Sequence, residues 1–351
     1  MMMKLLSGDS PRSKMLSAVL LLILFGLMFA PFLFPGTRSL DTAARICIFI
    51  VLVASYDLLL GYTGVVSFAH TMFFGIGAYG TALALVNMGA SYSAIVLGTV
   101  CGALVAGAFA FVIALFSLRV KAIFFAMMTL AVASAFLVLI SQLSGITGGE
   151  DGLSYRIPRE MTPAFKLVKE KVLGVRLNGK LITYYVVFFS SLCLFLVLLR
   201  MVNSPFGRVL QAIRENAFRA EAIGYKVVRY RSVATILSAV MAALAGSLMA
   251  IWLRYTGPAT TLSMDIMVDI LLMVVIGGMG SMYGAVIGAV LFLLTQSYLQ
   301  NLLGILQESL GSLPVVSEVV SPERWLLWLG ILFICSIYWF PKGVVGRLRG
   351  T

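Results

Sequence analysis

The chain has 351 residues, of which 61% are hydrophobic and 11% charged, a mean hydropathy of +1.03 and a formal net charge of +12. A soluble globule averages about 45–50% apolar and about 25% charged residues, so this composition excludes a water-soluble fold and makes the bilayer the main solvent. The basic excess is then explained by cytoplasmic loops, where Lys and Arg collect, and not by nucleic acid.

Inside a bilayer only helices or a closed barrel satisfy the backbone. The apolar runs are much longer than the roughly 9–11 residues of a barrel strand. They predict an all-α, polytopic transmembrane helical bundle, read as one transmembrane domain over 1–351. The predicted elements are 15–34, 43–60, 65–86, 92–118, 122–143, 181–199, 233–253, 266–279, 282–303 and 325–340.

The first run follows Lys4, Arg12 and Lys14. It is long for a signal-peptide core, and no small-residue cleavage pattern follows it, so it is read as a retained helix. The third and eighth elements contain glycines and are expected to bend or to be partly re-entrant. Cys47, Cys101, Cys193 and Cys335 lie far apart in apolar runs with no CxxC pair. They read as buried small hydrophobes.

Alternating the elements from a cytoplasmic N-terminus leaves both termini cytoplasmic. Fifteen of the 26 basic residues then face the cytoplasm, seven of them in the 200–231 loop. The loop at about 144–180 falls on the periplasmic side and is the exception, with seven basic and four acidic residues.

Enzymatic signatures are weak. GVRLNGKL at 174–181 has the spacing of a phosphate-binding loop, but Leu181 stands where Ser or Thr must hold Mg²⁺. It reads as a turn before the sixth helix. The lone histidine, His70, cannot form HExxH, and GxSxG is absent. The chain reads as a transport component, not an enzyme, with no cofactor and no metal site.

The segment SPFGRVLQAIRENAFRAEAIGYKVVRYR, 204–231, is too polar to span yet has helical periodicity, with Ser204 as cap and Pro205 in the first turn. Val209, Ile213, Ala217, Ala220 and Ile223–Gly224 form a small-apolar stripe; Arg214, Glu215, Arg219 and Lys226 lie mostly off it. Two readings are open: an amphipathic helix lying on anionic lipid, or a docking helix whose arginines pair with a partner's carboxylates.

With this loop the sequence resembles the branched-chain amino acid permease family of ABC importers (LivM-like). The loop resembles that family's version of the EAA motif. GYTGVVSFAHTMFFGIGAYG at 61–80, GITGGEDGL at 145–153, MDIMVDILLMVVIGGMGSMYGAVIGAV at 264–290 and FPKGVVGRL at 340–348 resemble its other signature blocks, in order. Departures are Ala69 before the histidine, Asp57 where a neutral polar residue is common, no Gly-Glu after 129–135, and Ala285 in place of proline.

The resemblance implies a permease subunit in a bacterial inner (plasma) membrane. Implied partners are a second homologous permease subunit, two cytoplasmic ATPase subunits and a periplasmic substrate-binding protein. The implied cargo is branched-chain or similar hydrophobic amino acids, with urea or short amides as the nearest rival; an ion-coupled secondary transporter is the rival class. Arg214, Glu215, Arg219, Glu221, Ala222 and Gly224 are then expected to couple to the ATPases. His70, Phe74, Gly75, Gly77, Gly277, Gly278 and Gly280 are expected to line the path or pack helices.

For His70 an interhelical hydrogen bond is preferred, with a backbone carbonyl, Ser67 or Asp57 as candidate partners; a path contact and a titrating switch stay open. Gly98/Gly102 and Gly280/Gly284/Gly288 have the spacing of small-residue helix interfaces. Asp265 and Asp269 share a helix face near the outer end. They are expected to reach headgroup water, with an outer gate or contact with the substrate-binding protein as the alternative. Loop 301–323, with Glu308, Glu318 and Glu323, and the acids Glu150 and Asp151 are further candidate docking sites.

Overall fold

The structure is a computed structural model and describes residues 13–34, 36–117, 122–172, 175–309, 321–341 and 343–348. Lys4, Arg12 and Glu318, with Gly174 of GVRLNGKL and Lys342 of FPKGVVGRL, lie outside the described residues.

Among the described residues, ten helical segments are long and apolar enough to cross a membrane. The helices of six or more residues are α1 (Lys14–Leu33), α2 (Thr37–Thr63), α3 (His70–Met88), α4 (Tyr92–Ser117), α5 (Ala122–Gln142), α6 (Gly179–Val202), α7 (Pro205–Glu215), α8 (Ala217–Ala222), α9 (Val227–Leu253), α10 (Met264–Gly277), α11 (Met282–Ser309), α12 (Trp325–Trp339) and α13 (Gly343–Leu348). All ten expected elements are present.

Burial sorts them into layers. α2 is the core helix, buried along almost its whole length from Thr42 to Thr63. It packs on α6, α9, α10 and α11, while α3, α4 and α9 form a tight trio beside it. α1, α5 and α12 stand outside and expose Leu22, Phe25, Ile123, Met127, Leu326 and Ile334. Helices that are apolar all round yet exposed are what a lipid solvent permits.

Small residues set how closely the trio packs. A Cβ on Gly77 would overlap the Ala243 backbone of α9, and one on Gly246 would overlap Phe74 of α3. Gly80 meets Gly98 and Gly102 of α4 in the same way. Ser247 Oγ donates to the Gly77 carbonyl at 3.1 Å, fixing the crossing.

Several elements differ from expectation: α2 starts at Thr37, six residues early, and α11 runs on to Ser309, so Glu308 lies on a helix and not in a loop. α3 begins at His70, not at 65, and runs unbroken past Gly75, Gly77 and Gly80. Those glycines serve neighbours, not a bend. α10 is stopped, not broken, by glycine: Gly278 and Gly280 take φ of 112° and 82°, the left-handed side that favours glycine. α9 starts at Val227, six residues earlier than the apolar run.

The 144–178 segment carries structure that hydropathy does not signal. β1 (Leu153–Ser154) pairs antiparallel with β4 (Tyr255–Thr256), and β2 (Lys166–Val172) pairs with β3 (Val175–Asn178). The stretch resembling a phosphate-binding loop is therefore strand β3 leading into α6. Its Lys180 pairs with Asp41 at 2.8 Å and lies 5.3 Å from the centre of the Trp252 ring.

Cys101 and Cys193 are exposed and only Cys47 is buried, which corrects the buried reading of the four. They sit on outward faces of α4 and α6, where an apolar thiol suits lipid as well as a core.

Candidate functional site

The segment expected to be one amphipathic helix is two. Asn216 takes φ −158° and ψ 99°, which ends α7, and its Oδ1 accepts the Arg219 N–H at 2.9 Å to cap α8. Asn favours such a cap over a helix interior because its side chain competes for backbone groups.

The break reorients the apolar stripe. Ile213, Ala220 and Val227 are buried together, with Val209, Ala217 and Tyr230 packed on them. This part of the stripe faces the bundle, not a partner. The outward face carries Glu215, Arg219, Glu221, Ala222 and Gly224, all exposed. Phe218 and Ile223 stand out among them at 83% and 68% exposure. Phe218 was missed because its position fits neither the stripe nor a charge pattern; only the kink at Asn216 turns it outward. Gly224 has φ 96° and open space at its Cβ position, so backbone geometry is what favours glycine there.

Arg214 departs from this outward set. Its guanidinium Nη1 donates to the carbonyl of Gly61, in the last turn of α2. Its stem passes Gly64, where φ is 71°. A Cβ on Gly280 would overlap Nη1, so the guanidinium also lies against the α10–α11 turn. On the other side of the same glycines, Asp57 Oδ1 accepts the Gly280 N–H at 2.9 Å. Asp57 is buried, and a Cβ on Gly61 would strike both its carboxylate and the Gly280 nitrogen. Two regions predicted separately, the polar loop and the glycine-rich turn, thus meet.

The other glycines of that turn pack helices. Gly277 and Gly284 approach backbone to backbone, Gly288 fits against Met273, and Gly343 of α13 sits on Gly278. The packing role of Gly284 and Gly288 matches their spacing. Gly280 differs, being a turn residue that contacts Arg214.

His70 is fully buried. Its Nε2 lies 2.8 Å from Ser55 Oγ, and Ser55 Oγ donates to the Leu52 carbonyl at 2.7 Å. A hydroxyl has one proton, so Nε2 is the donor to Ser55. Nδ1 has no partner among the described residues, which suits a bare lone pair better than an orphaned N–H. Ser238 of α9 donates to the Ser55 carbonyl at 2.6 Å, and Tyr56 meets the imidazole edge-on with centroids 5.1 Å apart.

Neither Ser67 nor Asp57 is the side chain that holds His70. Ser67 Oγ instead accepts the Ala69 N–H at 3.3 Å, and Asp57 serves Gly280. Phe74 is buried, and a Cβ on Gly75 would overlap Leu262. His70, Phe74, Gly75 and Gly77 therefore lie at the α2–α3–α9 junction, whereas Gly277, Gly278 and Gly280 lie at the α10–α11 turn.

At the opposite end, Ser263 Oγ accepts the Asp265 N–H at 3.0 Å to start α10; Asp265 is exposed and Asp269 half-buried beside Gln296. Tyr155, beside β1, bonds the Ala250 carbonyl at 2.9 Å and Thr256 Oγ1 at 2.8 Å. Burial pushes its hydroxyl above the usual tyrosine range, against the opposing Thr256 hydrogen bond, so it stays a neutral donor. Tyr255 Oη donates to the Asp151 carbonyl at 2.9 Å, tying the TGGEDGL loop to the end of α9.

An apolar cleft of about 380 Å³ opens between α1, α2, α6 and α11, with Ser191 in its wall. A second pocket of about 410 Å³ beside Tyr155 is lined by Arg156, Arg159 and Arg254 together with Ala90 and Ile157. No group of three or more His, Cys, Asp or Glu that could hold a metal ion occurs among the described residues.

Comparison with known proteins gives a consistent result. The family described as "Branched-chain amino acid transport system / permease component" matches residues 39–337. The high-affinity branched-chain amino acid transport system permease protein LivM of Salmonella typhimurium is 25% identical over 326 residues, covering 89% of this chain and 71% of that protein. LivM of Escherichia coli is 24% identical over 324 residues with the same coverage. A probable branched-chain amino acid transport permease protein LivM of Methanocaldococcus jannaschii is 25% identical over 264 residues, 74% of this chain and 70% of that protein. No solved structure matches the chain.

Proposed function

Because the chain belongs to the permease-component family of branched-chain amino acid transport systems, we propose that it is a membrane subunit of an ATP-driven importer of branched-chain or similar hydrophobic amino acids. It is a multi-pass membrane protein and a transport component, not an enzyme. In this reading the whole chain is one permease domain, paired with a second homologous permease in a bacterial inner membrane. Two ATPase subunits bind its cytoplasmic face, and a substrate-binding protein delivers cargo on the periplasmic face.

The observation that carries the reading is the α7–α8 pair. It is too polar to span, it sits at one end of the bundle, and its inner face is already packed on α9. Its outward face offers charges and two exposed apolar side chains, Phe218 and Ile223. A lone amphipathic lipid-surface helix would keep its main apolar face for the bilayer; here that face is occupied. Glu215, Arg219, Glu221, Ala222 and Gly224, with Phe218, form the surface assigned to the ATPases. The end bearing α7–α8 also holds the start of α1 and all of α13, through Leu16, Ile287 and Val345. This agrees with both termini being cytoplasmic.

The α2–α3–α9 junction and the α10–α11 turn, around His70 and Gly280, are assigned to the path or to the helix packing that encloses it. Transport then requires the helix groups on either side to exchange packings, with the free energy supplied by the ATPases and not by a proton.

Proteoliposomes holding the full complex test this. Uptake of leucine, isoleucine or valine should require internal ATP and persist when a protonophore collapses the proton gradient. Uptake abolished by the protonophore at clamped ATP would overturn the ATP-driven reading in favour of an ion-coupled carrier. Uptake of urea or a short amide alone would overturn the substrate assignment.

A further inference from the structure

We propose that Arg214 is a transmission residue, not a docking residue: it carries displacement of α7 to the end of α2 and to the α10–α11 turn. The inference rests on α7–α8 being the ATPase-facing surface.

Three observations set Arg214 apart from its neighbours. First, Arg214 is exposed like Glu215, Arg219 and Glu221, yet its guanidinium reaches back to the bundle and donates to the Gly61 carbonyl. Second, it occupies the space a side chain at position 280 would need. Third, the turn it presses on is itself fastened to α2, because the Gly280 N–H donates to buried Asp57 at 2.9 Å. A guanidinium and a carboxylate thus flank the same two glycines, Gly61 and Gly280.

The rest of the α7 interface is apolar. Leu210 and Ile213 are buried there, and such contacts slide with little directional resistance. A hydrogen-bonded arginine is directional, and its planar donors fix orientation as well as distance. Coupling between sites is carried by contiguous packed and hydrogen-bonded groups. Arg214, Gly61, Gly280 and Asp57 form such a chain, and each glycine is required by contact. A push on α7 therefore reaches α10 and α11 without passing through α9.

The test uses the complete complex in proteoliposomes, reading ATPase retention, ATP hydrolysis and substrate transported per ATP. Arg214→Ala should keep both ATPases bound and hydrolysis near the wild-type rate. Transport per ATP should fall roughly tenfold or more, the loss expected when a coupling free energy of ordinary size disappears. Arg214→Lys should recover part of it. Asp57→Asn, which keeps an acceptor for the Gly280 N–H, should stay closer to wild type than Asp57→Ala.

Loss of the ATPases from Arg214→Ala would overturn the proposal and make Arg214 a docking residue. Equal falls in hydrolysis and transport, or an unchanged ratio, would also overturn it. A merely structural role would change assembly or rate but not the ratio. If Arg214→Ala does not assemble, Arg214→Gln and Arg214→Lys supply the graded series. A wild-type complex that retains no ATPase would instead sink the reading on which the inference rests.

Discussion

At position 77 a single methyl group is too large. A Cβ there would overlap the Ala243 backbone, so Gly77→Val must force α3 away from α9. Overpacking of this kind costs about 1–3 kcal/mol, and the thermal midpoint of the purified protein should drop accordingly. Gly26→Ala, inside α1 with nothing within 4 Å of its Cβ position, is the control and should not lower the midpoint. At His70, Ser55→Ala removes the acceptor of a buried N–H. That loss should cost about 1–3 kcal/mol, read as a lower denaturation midpoint with assembly intact; an unchanged midpoint would contradict the assigned bond. The need of His70 for a partner was legible in the sequence, since a buried imidazole in an apolar run must bond something. The partner was not. Ser67 and Asp57 are near in sequence, but the α2–α3 register brings Ser55 to the ring instead.

Among the elements, the short α7–α8 pair is the most consequential, and its kink was the hardest to see. The 204–224 stretch has continuous helical periodicity, so nothing in the pattern announces a break. Asn216 makes it, by preferring a cap to a helix interior. Replacing it with Ala removes the α8 cap at about 1 kcal/mol and should speed amide exchange across 217–222 while leaving α9 protected. Equal exchange in wild type and Asn216→Ala would show that packing, not the cap, holds α8. The long helices were legible because about 20 apolar residues leave the backbone no other choice. The β1–β4 pair was not, because Leu153 and Thr256 meet only after several helices have packed.

Across the whole molecule, the lipid-facing layer explains the cysteines. Cys101 and Cys193 are exposed on the bundle surface, whereas Cys47 is buried. In membranes, Cys101 and Cys193 should react with a lipid-soluble maleimide and not with a charged one. Cys47, in the wall of the apolar cleft, should stay closed to the charged reagent until the fold is denatured. Labelling by the charged reagent would mean that these faces line water. The proposed orientation has its own check: on a cysteine-free background, Phe218→Cys should label only from the cytoplasmic side and Asp151→Cys only from the opposite side.

The central claim is that the outward face of α7–α8 holds the ATPases. The measurement that meets it most directly is co-purification of this chain with its candidate ATPase subunits, wild type against Phe218→Glu/Glu221→Arg. The account predicts that wild type retains the ATPases and that the variant, still monodisperse, loses them along with transport. A variant that keeps its ATPases and transports normally would contradict the account and move the docking surface elsewhere.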